Sequence, residues 1–500
     1  MRVLRWYARA YTPASAEQRK TNVTQMYNFI ARHILAQLLD HFRGTQTMKC
    51  LGELEDSQWW PRDKLLELQN QRLKELIKHA YDNVPYYRRV FDERSLKPID
   101  IQRGEDLVKL PLLNKQLMRT RFTELMSQDF SARKPIRLST GGSTGEPLSF
   151  YRTRYDQLNW GFAATQRALG WAGYELGDKL AKLQVRRPYK SKLAKFSQIS
   201  KDVFQRTILF DVKEMSLNTL PLLVNKLEGI QPKFIYGYPS AIELLARFTE
   251  KEGRSRLKPK AIITSAEQLY DYQRNLFHKA FECETYSCYS SWEVHAIAAE
   301  CTEHSGYHIV AENIIVEIVD ERGDPVSTGE EGRIVITNLH NYAMPFIRYD
   351  IGDLGVGSDS VCSCGRGLPI IAQLSGRTTD VIFTRNGKTV PGTALLHVFL
   401  APLDIAQFQI VQESYDKMVI KLVMGKECTN EHLDELTTRI INQYKLILGE
   451  EINILVEFVD HIPTTSDGKR RVVVSKVLQN SELSSGLDYQ KFMGITDTYD

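Results

Sequence analysis

Between about residues 130 and 340, short apolar runs alternate with helix-periodic stretches, an alternation that leaves few folds open. Ala261-Ile262-Ile263-Thr264 and the run from Ile314 to Val319 read as strands, whereas Tyr270 to Phe281 has helical spacing. Strands and helices in alternation pack as a sheet covered by helices, so the spacing predicts an α/β domain of several layers. At 500 residues the chain is too long for a single core. After Arg377 the character changes. Val381-Ile382-Phe383 and a turn at Asn386-Gly387 suggest a hairpin. They are followed by strands near Phe408–Gln412 and Met418–Val423, a helix from Asn430 to Leu448 and a strand at Ile452–Val459. That order fits a small α+β domain. The expected organisation is a basic helical extension at 1–54, a large domain at 55–376, a small domain at 377–478 and a loosely attached tail at 479–500.

Lys and Arg number 65 against 61 Asp and Glu, a balance that argues against a dedicated nucleic-acid binder. Seven cysteines are few and odd in number, which suits a reducing compartment. With no apolar run of membrane-spanning length and no signal-like N-terminus, the cytoplasm is the expected location. One local imbalance stands out. Residues 1–50 carry Arg2, Arg5, Arg9, Arg19, Lys20, Arg32, Arg43 and Lys49 against Glu17 and Asp40. The stretch from Asn22 to Gly44 has helical apolar spacing (Val23, Met26, Phe29, Ile30, Ile34, Leu38, Phe42). Such a helix either packs on the large domain or makes peripheral contact with an anionic membrane surface. Asp63 to His79 reads as a further helix whose pattern Pro85 ends. Arg186 to Arg206, with seven basic residues against Asp202, reads as a solvated loop or an anion-binding one.

The chemistry is announced by Ser139-Thr140-Gly141-Gly142-Ser143-Thr144-Gly145-Glu146. Glycines let backbone N–H groups turn inward and hydroxyls add donors, a composition that can wrap a polyphosphate. It is not a Walker loop, because no Gly-Lys-Ser/Thr follows. Further along come Tyr286-Ser287-Cys288-Tyr289-Ser290-Ser291-Trp292-Glu293, then Pro345-Phe346-Ile347-Arg348-Tyr349-Asp350-Ile351-Gly352-Asp353. Ser375-Gly376-Arg377-Thr378-Thr379-Asp380 and Pro463-Thr464-Thr465-Ser466-Asp467-Gly468-Lys469-Arg470-Arg471 complete the set.

These motifs, in this order, resemble the superfamily of acyl-CoA synthetases, peptide-synthetase adenylation domains and luciferases. More narrowly, Leu73 to Tyr87 and Lys109 to Lys115 resemble the phenylacetate–CoA ligase branch and its relatives in capsular polysaccharide biosynthesis. The resemblance covers about residues 55–478. It implies a large AMP-binding domain and a small mobile lid, with ATP and Mg²⁺ as cofactors. Thr140–Gly145 would hold the β- and γ-phosphates. Glu293, with Thr144, would bind magnesium. Asp353 would hold the ribose hydroxyls with Arg377 nearby, and Lys469 would reach into the site during adenylation. Ser265-Ala266-Glu267 and Cys288-Tyr289 resemble the segments flanking adenine, and Tyr236-Gly237-Tyr238-Pro239 the stretch lining the acyl pocket. A cation and a magnesium ion suit this chemistry because negative charge builds on the α-phosphorus and the leaving pyrophosphate. Two departures are visible: Glu146 stands where relatives often have lysine, and Thr379 where many have an acid at the hinge.

Cys362-Ser363-Cys364, with Cys301 and His308 upstream, offers three thiolates and an imidazole, either a structural Zn²⁺ site or reduced, unliganded thiols. The expected reaction is activation of a carboxylic acid to an acyl-adenylate, then transfer to CoA. The rivals are transfer to an amine or hydroxyl of a cell-surface saccharide precursor, and a silent nucleotide-binding protein.

Overall fold

The computed structural model describes residues 16–139, 148–186, 191–216, 218–251, 256–377, 381–383, 389–391, 395, 405–424, 430–449, 451–465 and 469–477. An eleven-stranded sheet forms its centre. One half is parallel: Thr207–Asp211, Leu180–Gln184, Phe234–Gly237, Ala261–Ser265 and Glu284–Ser291 lie side by side in that order. Helices such as Pro239–Lys251 and Asp271–Phe281 make the crossovers. At Glu284–Ser291 the sheet changes character, because the next neighbour, His295–Glu300, pairs with it antiparallel. The remaining strands, Tyr307–Ile309, Ile370–Arg377, Tyr349–Ser358, Glu331–Asn338 and Ile314–Val319, continue antiparallel to the far edge. The predicted α/β class is therefore the observed one, and the strand expected at Ile314 to Val319 has those bounds.

Gly237 illustrates how tightly the parallel half is assembled. A Cβ there would sit 2.7 Å from the Leu183 carbonyl oxygen on the neighbouring strand, so only glycine fits. The N-terminal helices are fastened to the sheet by polar contacts made inside the core. Arg167 forks onto Glu312 at 2.7 and 3.0 Å, and the Ser57 hydroxyl donates to the same carboxylate at 2.5 Å. Arg167 also donates to the Leu54 carbonyl at 2.8 Å, tying in the helix Thr47–Ser57. The helix expected from Asp63 runs Arg62–Asn83. Pro85 does end its pattern, with Val84 extended before it, but it also opens a second helix, Pro85–Glu93, as a first-turn proline can.

The basic stretch after Arg186 is not simply a loop: Lys192–Phe204 is a helix. Leu193, Phe196, Ile199 and Val203 recur at three- and four-residue spacing, a helical period that the lysines between them obscured. The N-terminal basic segment is helical too, Ala16–Ile30 and Ala36–Arg43 joined by a π-helical turn, with Gly44 left-handed at its end. One side rests on the body: Tyr27 donates to the Phe204 carbonyl at 2.7 Å and Asn28 to Asp178 at 3.0 Å. The other side leaves apolar residues in solvent, Val23 at 61 %, Met26 at 60 %, Phe29 at 61 % and Phe42 at 82 % exposure.

Beyond Arg377 a second sheet of four strands orders Asn453–Phe458, Lys417–Met424, Ile405–Ser414 and Val473–Ser475. The helix Asn430–Leu448 has the bounds its periodicity predicts. Phe408, Ile410, Ile420, Leu422, Ile440 and Tyr444 form a core separate from that of the large sheet. The hairpin expected at Val381 pairs with Thr389–Pro391, while its Asn386-Gly387 turn lies outside the described residues, as does the tail.

Candidate active site

In an α/β sheet, ligands bind beyond the carboxyl ends of the parallel strands, where loops diverge and backbone groups are free to reach a ligand. A cavity of about 990 Å³ lies there, lined by Ser265 and Ala266 at the end of one strand and by Ser287 to Ser291 of the next. Ala266 has φ +74°, a left-handed conformation rare for alanine, held where the strand turns over the cavity. The hydroxyls of Ser265 and Ser290 meet at 2.8 Å beside it. Ser139 lines the same cavity. Thr140, Gly141, Gly142, Ser143, Thr144 and Gly145, together with Glu146, Thr379 and Asp380, lie outside the described residues.

Asp353 and Arg377 sit directly opposite each other on adjacent antiparallel strands, with 3.5 Å between guanidinium and carboxylate. The Tyr289 hydroxyl donates to the other Asp353 oxygen at 2.6 Å. Burial, with the Asp353 charge, pushes the Tyr289 pKa well above its ordinary value, so it stays a donor. All three line the cavity. Glu293 lies in the turn between two strands, buried, and accepts from the Tyr349 hydroxyl at 3.2 Å. Burial and Glu293 likewise raise the Tyr349 pKa well above normal. Among the described residues Glu293 has no ion-pair partner. A buried carboxylate that lines the cavity and forms no ion pair among the described residues fits a site for a metal ion.

Lys469 lines the cavity from the second sheet's side, where its backbone N–H donates to the Thr465 hydroxyl at 3.1 Å. Its neighbour Arg470, which the sequence did not single out for a role, makes the anchoring contacts. The Arg470 backbone N–H donates to Glu267 at 2.8 Å and its guanidinium to Glu243 at 3.2 Å. Glu267, expected beside adenine, lines the cavity but spends its carboxylate on the Ser240 N–H and hydroxyl at 2.9 and 3.0 Å and on Arg470. Burial raises its pKa. Of the expected acyl-pocket stretch, Tyr236 and Tyr238 line the cavity. Gly237 packs beneath Leu183, and Pro239 opens the helix Pro239–Lys251. Lys182 and Gln184 also line the cavity, and no motif announced them.

Away from this cavity, Cys301, His308, Cys362 and Cys364 bring one ligand atom each within 4.8 Å of one another. Cys301 and Cys362 sulfurs are 3.6 Å apart, and the Cys364 sulfur is 3.3 Å from His308 Nε2. That sulfur separation is far longer than a disulfide, about 2.05 Å. It is close to the roughly 3.8 Å expected of two thiolates bound 2.3 Å from a tetrahedral zinc. The four residues come from the end of one strand, a second strand and the turn Cys362–Cys364 between two others.

Comparison with known proteins points one way. A family model described as the CapK C-terminal domain matches residues 382–476. The chain is similar to the phenylacetate-coenzyme A ligase of Thermus thermophilus, 26 % identical over 439 residues that cover 83 % of this chain and 97 % of the ligase. It is similar to protein CapK of Staphylococcus aureus, 25 % identical over 418 residues covering 83 % and 90 %. Among solved structures, a 2-hydroxyisobutyryl-CoA ligase in the postadenylation state with R3-HIB-AMP shares the fold. Its TM-score is 0.68 at 20 % identity, over 88 % of this chain and 94 % of that one.

Proposed function

We propose that the chain, which is similar to phenylacetate–CoA ligases and to CapK, is an AMP-forming acid ligase of the adenylate-forming superfamily. One observation carries the reading: Glu293, Asp353, Arg377 and Lys469, from four separate elements, converge on one cavity. A carboxylate oxygen of the acid attacks the α-phosphorus of ATP, the bond to the bridging oxygen breaks, and pyrophosphate leaves. Asp353 accepts from the ribose hydroxyls, with Tyr289 and Arg377 fixing its orientation. Lys469 stabilises the charge that develops on the reacting phosphate. Thr140 to Gly145 supply donors to the β- and γ-phosphates. Glu293, with Thr144, would hold magnesium, which would offset the charge of the phosphate oxygens. The thiol of CoA then displaces AMP from the acyl carbon once the small domain, residues 377–478, has swung Lys469 away. The second reading, favoured by the likeness to CapK over a branch of ligases named for CoA, is transfer to an amine or hydroxyl acceptor in place of CoA.

The test is pyrophosphate release from ATP and Mg²⁺ across a panel of acids, with hydroxylamine as trap, with and without CoA. Acid-dependent release, lowered about 10²–10³-fold by Lys469→Ala, is the expected result. A CoA thioester decides the acceptor, and absence of release with every acid sinks the reading.

Two further sites belong to this proposal. Cys301, His308, Cys362 and Cys364 hold a structural zinc, with four protein ligands and no open position for catalysis. The exposed apolar stripe of the N-terminal helix contacts an anionic membrane surface. No described helix is long and apolar enough to cross a membrane.

A further inference from the structure

The Lys182 side chain stands in the cavity with an unusual set of neighbours. Along Leu180–Gln184, Ala181 and Leu183 are fully buried in one core. Alternation therefore puts Lys182 and Gln184 on the other face of the strand, and both line the cavity. Lys182 lies directly across from Tyr236 on the adjacent strand, its ammonium 6.0 Å from the ring centroid. Burial, with hydrogen bonds from Ser265 and Gln184 acting against it, sets the Tyr236 hydroxyl's pKa above normal, so that wall is a neutral phenol. Among the described residues no carboxylate forms an ion pair with Lys182. Asp202 is the acid that acts on it, and desolvation outweighs that attraction, lowering the lysine's pKa. Lys213, Arg186 and Asp202 line the same cavity, so with Lys182 the bases near this strand outnumber the acid.

We propose that the acyl pocket takes an acid carrying a second anionic group, a carboxylate or phosphate, and that Lys182 binds that group. The inference rests on the adenylation reading above and narrows its substrate class. An ammonium beside an aromatic ring, with Asp202 near but not paired to it, is costly once a ligand expels the water around it. An apolar acid would leave that cost standing. An acid with a distal anion removes it and gains a charge-assisted hydrogen bond. Gln184, two residues on, adds a donor on the same face.

The experiment compares acids of matched size with and without a distal carboxylate, for example phenylacetate against its para-carboxylate and valerate against glutarate. Hydroxamate formation is measured without CoA, so that a role for Lys182 toward the phosphates of CoA leaves the readout unmoved. The doubly charged acid of a pair should be preferred at least about tenfold in kcat/KM. Lys182→Met should lower kcat/KM for that acid roughly 10- to 100-fold, the range of a charged hydrogen bond, and leave the singly charged acid nearly unchanged. Lys182→Arg should retain the preference, and Lys182→Gln serves where the methionine variant does not fold. The preference should also fade with rising pH earlier than an ordinary lysine pKa of about 10.4 allows. Turnover of singly charged acids equally well, or an equal loss for both acids in Lys182→Met, overturns the inference alone. No turnover of any acid overturns the ligase reading beneath it.

Discussion

Arg470, just before the strand Val473–Ser475, reaches the helix Pro239–Lys251 that covers the large sheet, its side chain 4 % exposed against Glu243 at 1 %. Burial alone would raise the Glu243 pKa, but Arg247 and Arg470 outweigh it and hold the carboxyl below its usual range. A depressed acid favours the assembled state above its ordinary pKa and loses that contribution as pH falls through the folded value. The contact is therefore fully formed at neutral pH and weakens only in acid. Lys469, proposed above to act on the reacting phosphate, is the adjacent residue, so whatever seats Arg470 also sets where that lysine points. Arg470→Met leaves Glu243 with Arg247, the Tyr272 hydroxyl at 3.1 Å and Gln273 at 2.8 Å. The loss of one charged hydrogen bond, about 1.5–3 kcal/mol, should slow pyrophosphate release about 10- to 100-fold. Stopped-flow pyrophosphate detection checks this, and ATP affinity in the same variant should change far less.

Among the elements, those with one clean period were legible from sequence. The helix Asn430–Leu448 and the strand Ile314–Val319 fall where the sequence pattern puts them, the helix because Leu436, Ile440 and Tyr444 bury one face and the strand because its apolar run is unbroken but for Glu317. The helix Lys192–Phe204 was missed because charge dominates its composition, and Lys182 because a lysine within a strand looks solvated until its neighbours are known. Glu293, Asp353, Arg377 and Lys469 were legible as parts of motifs. Arg470 was not, since its role depends on two acids more than two hundred residues earlier in the chain. The cysteine cluster lies between these cases: its residue types were readable, but only the pairing of Ile370–Arg377 with Tyr307–Ile309 brings His308 beside the Cys362–Cys364 turn. A zinc there would tie this turn to the centre of the sheet, and its removal should loosen both. Metal analysis of protein purified without added metal should give about one zinc per chain. Stripping it with a strong chelator should lower the thermal midpoint by about 2 °C for a loss of about 2 kcal/mol, since a chain of this length has an unfolding entropy of about 1 kcal/mol/K. A metal-free protein with an unchanged midpoint in added zinc removes the site.

At the scale of the whole molecule, the N-terminal helix has two faces with different fates. Tyr27, Asn28 and Arg32 bind the body, the last through Glu55, so the helix is held in a fixed orientation. That orientation turns Val23, Met26, Phe29, Ile34, Leu38 and Phe42 outward along roughly 30 Å of helix. Water-exposed apolar stripes of this length are unusual on a soluble surface and point to a partner. We propose an anionic surface as that partner, because the first fifty residues carry eight basic residues against two acidic ones. An interfacial helix gains from both terms, apolar burial for the stripe and about 1 kcal/mol for each nearby basic residue. The full-length protein should therefore sediment with vesicles containing anionic phospholipid and far less with neutral ones, and high salt should weaken the binding. Phe29→Glu with Phe42→Glu removes two aromatic side chains worth about 1.5–3 kcal/mol each when buried, so binding should fall by at least about 100-fold. Pyrophosphate release from soluble substrates should be unaffected, because neither residue lines the cavity. Equal binding to neutral vesicles, or binding indifferent to both substitutions, would assign the stripe to a protein partner instead.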